Sequence, residues 1–347
     1  MAKERIVWMD MMRGSLILLV IIQHWISGLN LHDNLSGSLI YYGIYQVKIF
    51  FAPYRMELLF FLSGFIVHKS INKNLKEYLK GKIKNLLYPY ISWSLAFLAL
   101  YNFSSLLSGE YIQILHYLQR IAIGATNLTW FLYFLFVYFV ISPIIIRTKA
   151  NIVCVFITAI ILCYFSSVIN IYDRIGVEYL EEGGIFYYFI FFYSGCYCGL
   201  KKYDIQGLSK NPTMLTIALL CVIATAIINF HTGIHKTSLL YLPPVMLSIP
   251  LLIFLATKIE KVKIIKRALT HVSLNSIVYY LMHLVLLIIF SKIFEVLHIN
   301  QNYAIPIKLP LTLLTIYLFI NLKRRLPFLD ILFQPPRRKF SNITNAI

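Results

Sequence analysis

The chain has 347 residues, of which 59% are hydrophobic and 13% charged, with a formal net charge of +18. With a mean hydropathy of +0.73, a chain of this length has the profile of a polytopic membrane protein, which excludes a soluble globular fold. The positive charge does not imply nucleic acid, because the basic residues fall mostly between apolar runs rather than in one patch.

Ten apolar runs are long enough to cross a hydrocarbon layer about 30 Å thick. They span 7–28, 49–68, 86–107, 130–147, 151–170, 184–200, 213–230, 239–257, 273–293 and 304–322. The expected fold is an all-α polytopic bundle of about ten transmembrane helices, forming one membrane domain over residues 1–347 with a basic juxtamembrane tail at 323–347. The first run is long and lacks a small-residue cleavage site, so it reads as a retained span. With the N-terminus in the cytoplasm, about 24 of the 32 Lys and Arg fall on that side, including Lys69 to Lys84, Lys258 to Arg267 and Lys323 to Arg325. Both termini are then cytoplasmic, and the acidic loop "YDRIGVEYLEEGG" faces outward. The tail, "LKRRLPFLDILFQPPRRKF", is expected to lie on anionic lipid. The five cysteines fall within spans and read as small apolar residues, and His231 with His235 lacks a third ligand, so no metal is assigned.

The residues that carry chemistry begin in the first span, where "MDMMRGSLILLVIIQHW" holds Arg13 and His24. Ionisable residues inside a span are costly and mark function. Eleven residues apart, the two lie about 20° apart around the helix and about 16 Å apart along it, giving one face two stations at different depths. Asp10 falls within about 60° of the same line and could orient the guanidinium. The bland alternative is a buried Asp–Arg pair that only pins helices. In the second span, "FFAPYRMELLFFLSGF", Arg55 and Glu57 sit among apolar residues, and the small pair Ser63-Gly64 suits close helix approach. Counted from the outer span ends, His24 is about 6 Å deep and Glu57 about 12 Å, so the two could meet as base and orienting carboxylate, or Glu57 could pair with Arg55 or Arg13 instead. Lys82 and Lys84 stand in the lysine-rich cytoplasmic stretch that leads into the third helix. Either they contact anionic lipid, or they meet the phosphates of a cytosolic nucleotide-like donor, with Arg55 a further candidate for the donor. Trp130, at the mouth of the fourth span, is a membrane anchor or a substrate platform, and His283 lies inside the ninth. Ser63, Trp130 and His283 are candidate substrate-lining residues.

Taken in order, "WMDMMRGSLILLVIIQHW", "YRMELLFFLSGF", "KIKNLLYPYISW", "WFLYFLF", "FFYSGCYCG" and "SLNSIVYYLMHLVLL" resemble the acyltransferase-3 family of integral membrane acyltransferases over nearly the whole chain. The resemblance implies that His24 is catalytic, that Arg13 handles the acyl donor, and that the donor is acetyl-coenzyme A or another acyl-coenzyme A, with no permanently bound cofactor. It implies a hydroxyl acceptor on a surface polysaccharide, glycolipid or lipid-linked sugar, and a location in the bacterial cytoplasmic membrane. Where members often carry an Arg-x-x-Arg pair, the corresponding positions here are Lys82 and Asn85. Some members bear a fused extracytoplasmic domain; none is read here, so the chain is expected to act alone or with separate glycan-synthesis proteins. The competing expectation is a glycan or glycan-precursor exporter or flippase, which predicts broken helices paired between two halves; a further one is a scaffold in which Asp10, Arg13, His24 and Glu57 only pack.

Overall fold

The computed structural model describes residues 6–27, 39–101, 111–126, 129–169, 184–232, 234 and 237–335. They are helical, with no strand among them. Seven helical segments are long and apolar enough to cross a membrane: Val7–Ser27, Tyr42–Lys69, Trp130–Arg147, Pro212–His231, Leu239–Ile259, Ser276–Val296 and Tyr303–Arg325. Two shorter apolar helices, Ile152–Ser166 and Gly184–Leu200, accompany them. The expected outward loop 171–183 lies outside the described residues, apart from which the loops at 30–48 and 108–129 are described only in part.

Helix α1 (Val7–Ser27) is the hub, packing against α2 (Leu39–Phe50), α3 (Arg55–Phe65), α11 (Leu242–Ile259), α12 (Lys263–Leu274), α13 (Ser276–Val296) and α14 (Gln301–Arg325). Around them run α4 (Leu75–Lys82), α5 (Tyr88–Tyr101), α6 (Tyr111–Ile123), α7 (Trp130–Arg147), α8 (Ile152–Ile169), α9 (Gly184–Leu200) and α10 (Pro212–His231). The buried faces of α1, α3, α7, α9 and α13 contribute to a single aromatic-rich core. The Lys- and Arg-rich segments before α4, after α7, around α12 and at the end of α14 mark one end of the bundle, called here the basic end.

Two prolines shape the second and third spans. Pro53 has no N–H to continue a helix and clashes with the preceding turn, so the second span is broken: α2 stops at Phe50, residues 51–54 turn, and α3 starts at Arg55. The carbonyl of Ile49, which Pro53 cannot reach, accepts from the Ala52 N–H at 3.0 Å and from Asn229 Nδ2, whose Oδ1 accepts from the Tyr241 hydroxyl at 3.2 Å. Freed backbone groups at membrane depth need such partners. Pro89 acts similarly on the third span. It cannot donate to residue 85, and the chain widens into a π turn at Ile83–Leu87, closed by the Tyr88 N–H on the Ile83 carbonyl.

The tightest crossing is that of α3 on α9. A Cβ placed on Gly64 would fall 1.9 Å from the Phe192 carbonyl oxygen, and one on Gly195 would fall 2.1 Å from that of Phe61. The glycines let the two backbones touch, the packing that small residues permit in membranes. At the other side of the hub, α12 lies against α1 where Gly14 meets Leu269.

The first part of the tail docks on protein rather than extending freely over lipid. A 3-10 turn at Pro327–Leu332 follows α14; the Ile331 carbonyl accepts from the Tyr88 hydroxyl at 2.8 Å and the Leu332 carbonyl from Trp93 Nε1 at 2.8 Å. Phe333 is buried against Trp93 and Phe319. Residues 336–347 lie outside the described residues.

Gly64→Ala is expected to lower the thermal midpoint of the detergent-solubilised protein, at a cost on the order of 1–3 kcal/mol for overpacking against backbone. Gly81→Ala, where a Cβ meets nothing within 4 Å, should leave it unchanged or raise it. Equal effects of the two, read by fluorescence-detected size exclusion after heating, would contradict the close crossing.

Candidate functional site

Two cavities occupy opposite ends of the hub. The inner one, about 250 Å³ and toward the basic end, is lined by Arg13 and Ile17 of α1, Leu59 and Ser63 of α3, Lys82, Asn85 and Leu86, Phe131 to Phe139 of α7, and Ser276, Ile277 and Tyr280 of α13. The outer one, about 150 Å³, is lined by His24 and Trp25 of α1, Leu284 to Lys292 of α13, and Lys308 of α14. The two stations read on one face of the first helix therefore open into different cavities.

The inner cavity owes its polar side groups to local breaks in regularity. The π turn before Pro89 carries Asn85 and Leu86 into the wall, next to Lys82 at the end of α4. Lys82 Nζ sits 3.4 Å from the centre of the Phe139 ring and 5.2 Å from that of Tyr78, a cation–π seat. Burial pulls its ammonium down to about 8. Ser63 faces the cavity while its neighbour Gly64 packs on α9, so the small pair divides its labour; the Ser63 hydroxyl donates to the Leu59 carbonyl at 2.7 Å. On α1, Asp10 accepts a 2.8 Å hydrogen bond from Ser273 of α12, one turn before Arg13.

Between the cavities lies a short chain of rings. Tyr280, in the inner wall, lies 6.1 Å centroid to centroid from His283, and His283 lies 5.2 Å from His24, which lines the outer cavity. His283 is buried. Its Nδ1 lies 3.1 Å from the Tyr279 carbonyl, which can only accept, so Nδ1 carries the proton. Its Nε2 is buried with no hydrogen-bond partner among the described residues. Trp25, next to His24, donates from Nε1 to the Ile305 carbonyl at 3.1 Å and fixes this end of α1 to α14.

The structure thus brings together Arg13, Ser63 and Lys82 in one place and His24 with His283 in another. Arg55 and Glu57 are buried at the start of α3, 3% and 0% exposed, where Glu57 acts electrostatically on Arg55, Tyr187 and Tyr188. Arg55 lines neither cavity. Lys84 is half-buried on the π turn and lines neither cavity. Trp130 also lines neither; its ring sits among Phe60, Phe134 and Tyr188. Sequence reasoning passed over Tyr280 and Lys308. Lys308 was detectable by the rule that singled out Arg13, since it is a cation inside an apolar run.

This order of stations along α1, with the motifs that follow it, is matched across the chain: residues 6–322 match the acyltransferase domain of the acyltransferase-3 family. The chain belongs to the acyltransferase-3 family. It is a multi-pass membrane protein of an acyltransferase family. No curated protein and no solved structure matches it.

In a cysteine-less background, Ser63→Cys and Ser291→Cys should react with a membrane-impermeant maleimide added to opposite faces of sealed vesicles. Labelling of both from one face would overturn the two-ended arrangement.

Proposed function

We propose that this acyltransferase moves an acyl group, acetyl by preference, from cytosolic acyl-coenzyme A to a hydroxyl of a surface polysaccharide, glycolipid or lipid-linked sugar at the outer face of a bacterial cytoplasmic membrane. The observation that carries the reading is the Tyr280–His283–His24 contact between two cavities, the inner one cationic. The basic end faces the cytoplasm, following the distribution of Lys and Arg. The inner cavity is smaller than the roughly 300–1,000 Å³ that encloses a drug-sized ligand. It takes the acyl thioester and part of the coenzyme's arm, and the nucleotide stays at the basic surface. Arg13 offers a forked donor to the polar end of that arm and Lys82 a point charge.

Chemistry takes place at His24. A ring nitrogen accepts the proton of the acceptor hydroxyl as its oxygen attacks the thioester carbonyl; the C–S bond breaks, and the proton passes from the imidazolium to the leaving thiolate. Products are the ester and free coenzyme A. An acyl-histidine intermediate, formed on the same ring and discharged to the acceptor, balances equally. His283, packed on His24, restricts the ring's orientation in either route. No bound cofactor is required, and separate glycan-synthesis proteins supply the acceptor. The exporter reading draws on the helix break at Pro53, but α11 and α14 run continuously through Pro250, Pro306 and Pro310, which favours acyl transfer.

The deciding comparison is the O-acyl content of envelope glycans, by NMR and mass spectrometry, in parent, deletion and complemented strains. His24→Ala should leave glycan exported but unesterified, with transfer reduced by about 100-fold or more; surface glycan that vanishes on deletion and returns with His24→Ala would establish transport instead. Arg13→Lys should cost about tenfold or more, because the fork is lost. A pH profile in vesicles checks Lys82. It is cationic below about 8, so the KM for acyl-coenzyme A should rise as pH passes upward through 8. Lys82→Arg should abolish that rise and Lys82→Met should show the high KM at every pH; a flat wild-type profile would remove Lys82 from donor binding.

A further inference from the structure

Lys308 is 5% exposed in the first third of an apolar helix. Its Nζ donates to the Ser291 hydroxyl at 2.9 Å. An ammonium has three donors, and among the described residues Ser291 is the only hydrogen-bond partner and no carboxylate pairs with it; the ion pairs there are Lys292–Glu295 and Lys323–Asp330. A lysine buried at membrane depth without a counter-charge is expensive to keep. Helix glue alone does not need it, since a neutral side chain would serve Ser291 as well. The side chain lines the outer cavity together with His24, Trp25, Ser291 and Lys292. The Trp25 bond to the Ile305 carbonyl falls one turn before Lys308, so the cation and His24 are set by the same junction of α1 and α14.

Resting on the acyl-transfer reading above, we propose that the outer cavity is an anion subsite: Lys308 binds a carboxylate or phosphate of an acidic acceptor and so places a neighbouring hydroxyl at His24. Lys292, exposed at the rim and held by Glu295, adds to the field that draws the anion in. The acceptor is therefore an acidic glycan or a phosphate-linked sugar rather than a neutral one. Lys308 is a binding and positioning residue; the proton is still moved by His24.

The test uses the whole protein in nanodiscs, acetyl-coenzyme A, and envelope glycan isolated from a deletion strain, which lacks the ester. The glycan is used intact, after carbodiimide–borohydride reduction of carboxylates, or after dephosphorylation with aqueous hydrogen fluoride. With intact glycan, Lys308→Gln should raise the acceptor KM about 30-fold or more, as loss of one partner of a desolvated charge pair does, with kcat and the donor KM little changed; Lys308→Arg should restore most of the affinity. With wild-type protein, one of the two treated glycans should show the same rise, and which one does identifies carboxylate or phosphate as the anion. Wild-type KM unchanged on both treated glycans would overturn the proposal, as would an unchanged KM in a folded Lys308→Gln. The treated-glycan arm needs no variant, so a Lys308→Gln that fails to fold leaves the decision intact. His24→Ala run alongside separates the two readings: if it transfers normally, acyl transfer at His24 is wrong, whereas if it is inactive while both treated glycans bind normally, only the anion subsite is.

Discussion

The contact on which the rest of the site depends is the backbone crossing of α3 and α9 at Gly64 and Gly195. Pro53 interrupts the second span, Tyr42–Lys69, and α3 is its eleven-residue second part, about 16 Å of helix. Apolar length places the segment in the bilayer, but where α3 sits among the other helices must come from packing. Between helices in lipid there is little hydrophobic driving force, so close van der Waals contact and internal polar partners must hold them. The crossing supplies that contact, and Gly199, whose Cβ would lie 2.2 Å from the Phe65 carbonyl oxygen, extends it by a turn. Ser63, adjacent to Gly64, is thereby aimed at the cavity that also holds Arg13, and the buried Arg55 and Glu57 are kept together at the other end of the same short helix.

A second constraint comes from α1. One regular helix carries Arg13 and His24 to two depths, and regularity makes that separation a fixed ruler. What the ruler does not decide is what each station meets. That depends on α13, which passes both: Ser276 and Tyr280 meet the Arg13 cavity, His283 meets the His24 ring, and Leu284 to Lys292 wall the outer cavity. The two helices together define a path in which every residue is on an element held by the core rather than on a loop. Side chains on such elements keep their geometry, as transfer chemistry requires.

How much of this was legible in the sequence follows from the range of the interactions. The all-helical membrane class and the Arg13–His24 register are local properties, set by hydropathy and by the helical period, and they read directly. The His24–His283 contact joins positions far apart in sequence, and no spacing rule could pair them; only the cost of an imidazole inside a span marked His283 as unusual. Depth arithmetic for Glu57 assumed one continuous second helix, whereas Pro53 starts a new one at Arg55, so the count from the outer end does not measure its level. The "GCYCG" segment carried a readable signal that was passed over, small residues four apart at Gly195 and Gly199, which is the spacing for backbone contact in membranes. The contact between Trp93 and the tail was not legible for a different reason. A basic aromatic segment next to a span suits lipid by composition, and composition does not reveal that carbonyls at Ile331 and Leu332 find donors on α5 while Phe333 is buried.

The separation of the two cavities bears on what crosses between them. A sugar in transit needs a continuous polar passage wide enough for its ring and its hydration. Here the material between the inner and outer spaces is Tyr280, His283 and His24, with Phe131 packed on Tyr280 at 5.5 Å, and the outer space holds only about 150 Å³. In the proposed acyl-histidine route only an acyl group of a few heavy atoms, bonded to the His24 ring, occupies this junction, while its carrier and its acceptor each remain on their own side. In the proposed mechanism, an imidazole at this junction stands where both reactants reach it and neither has to pass.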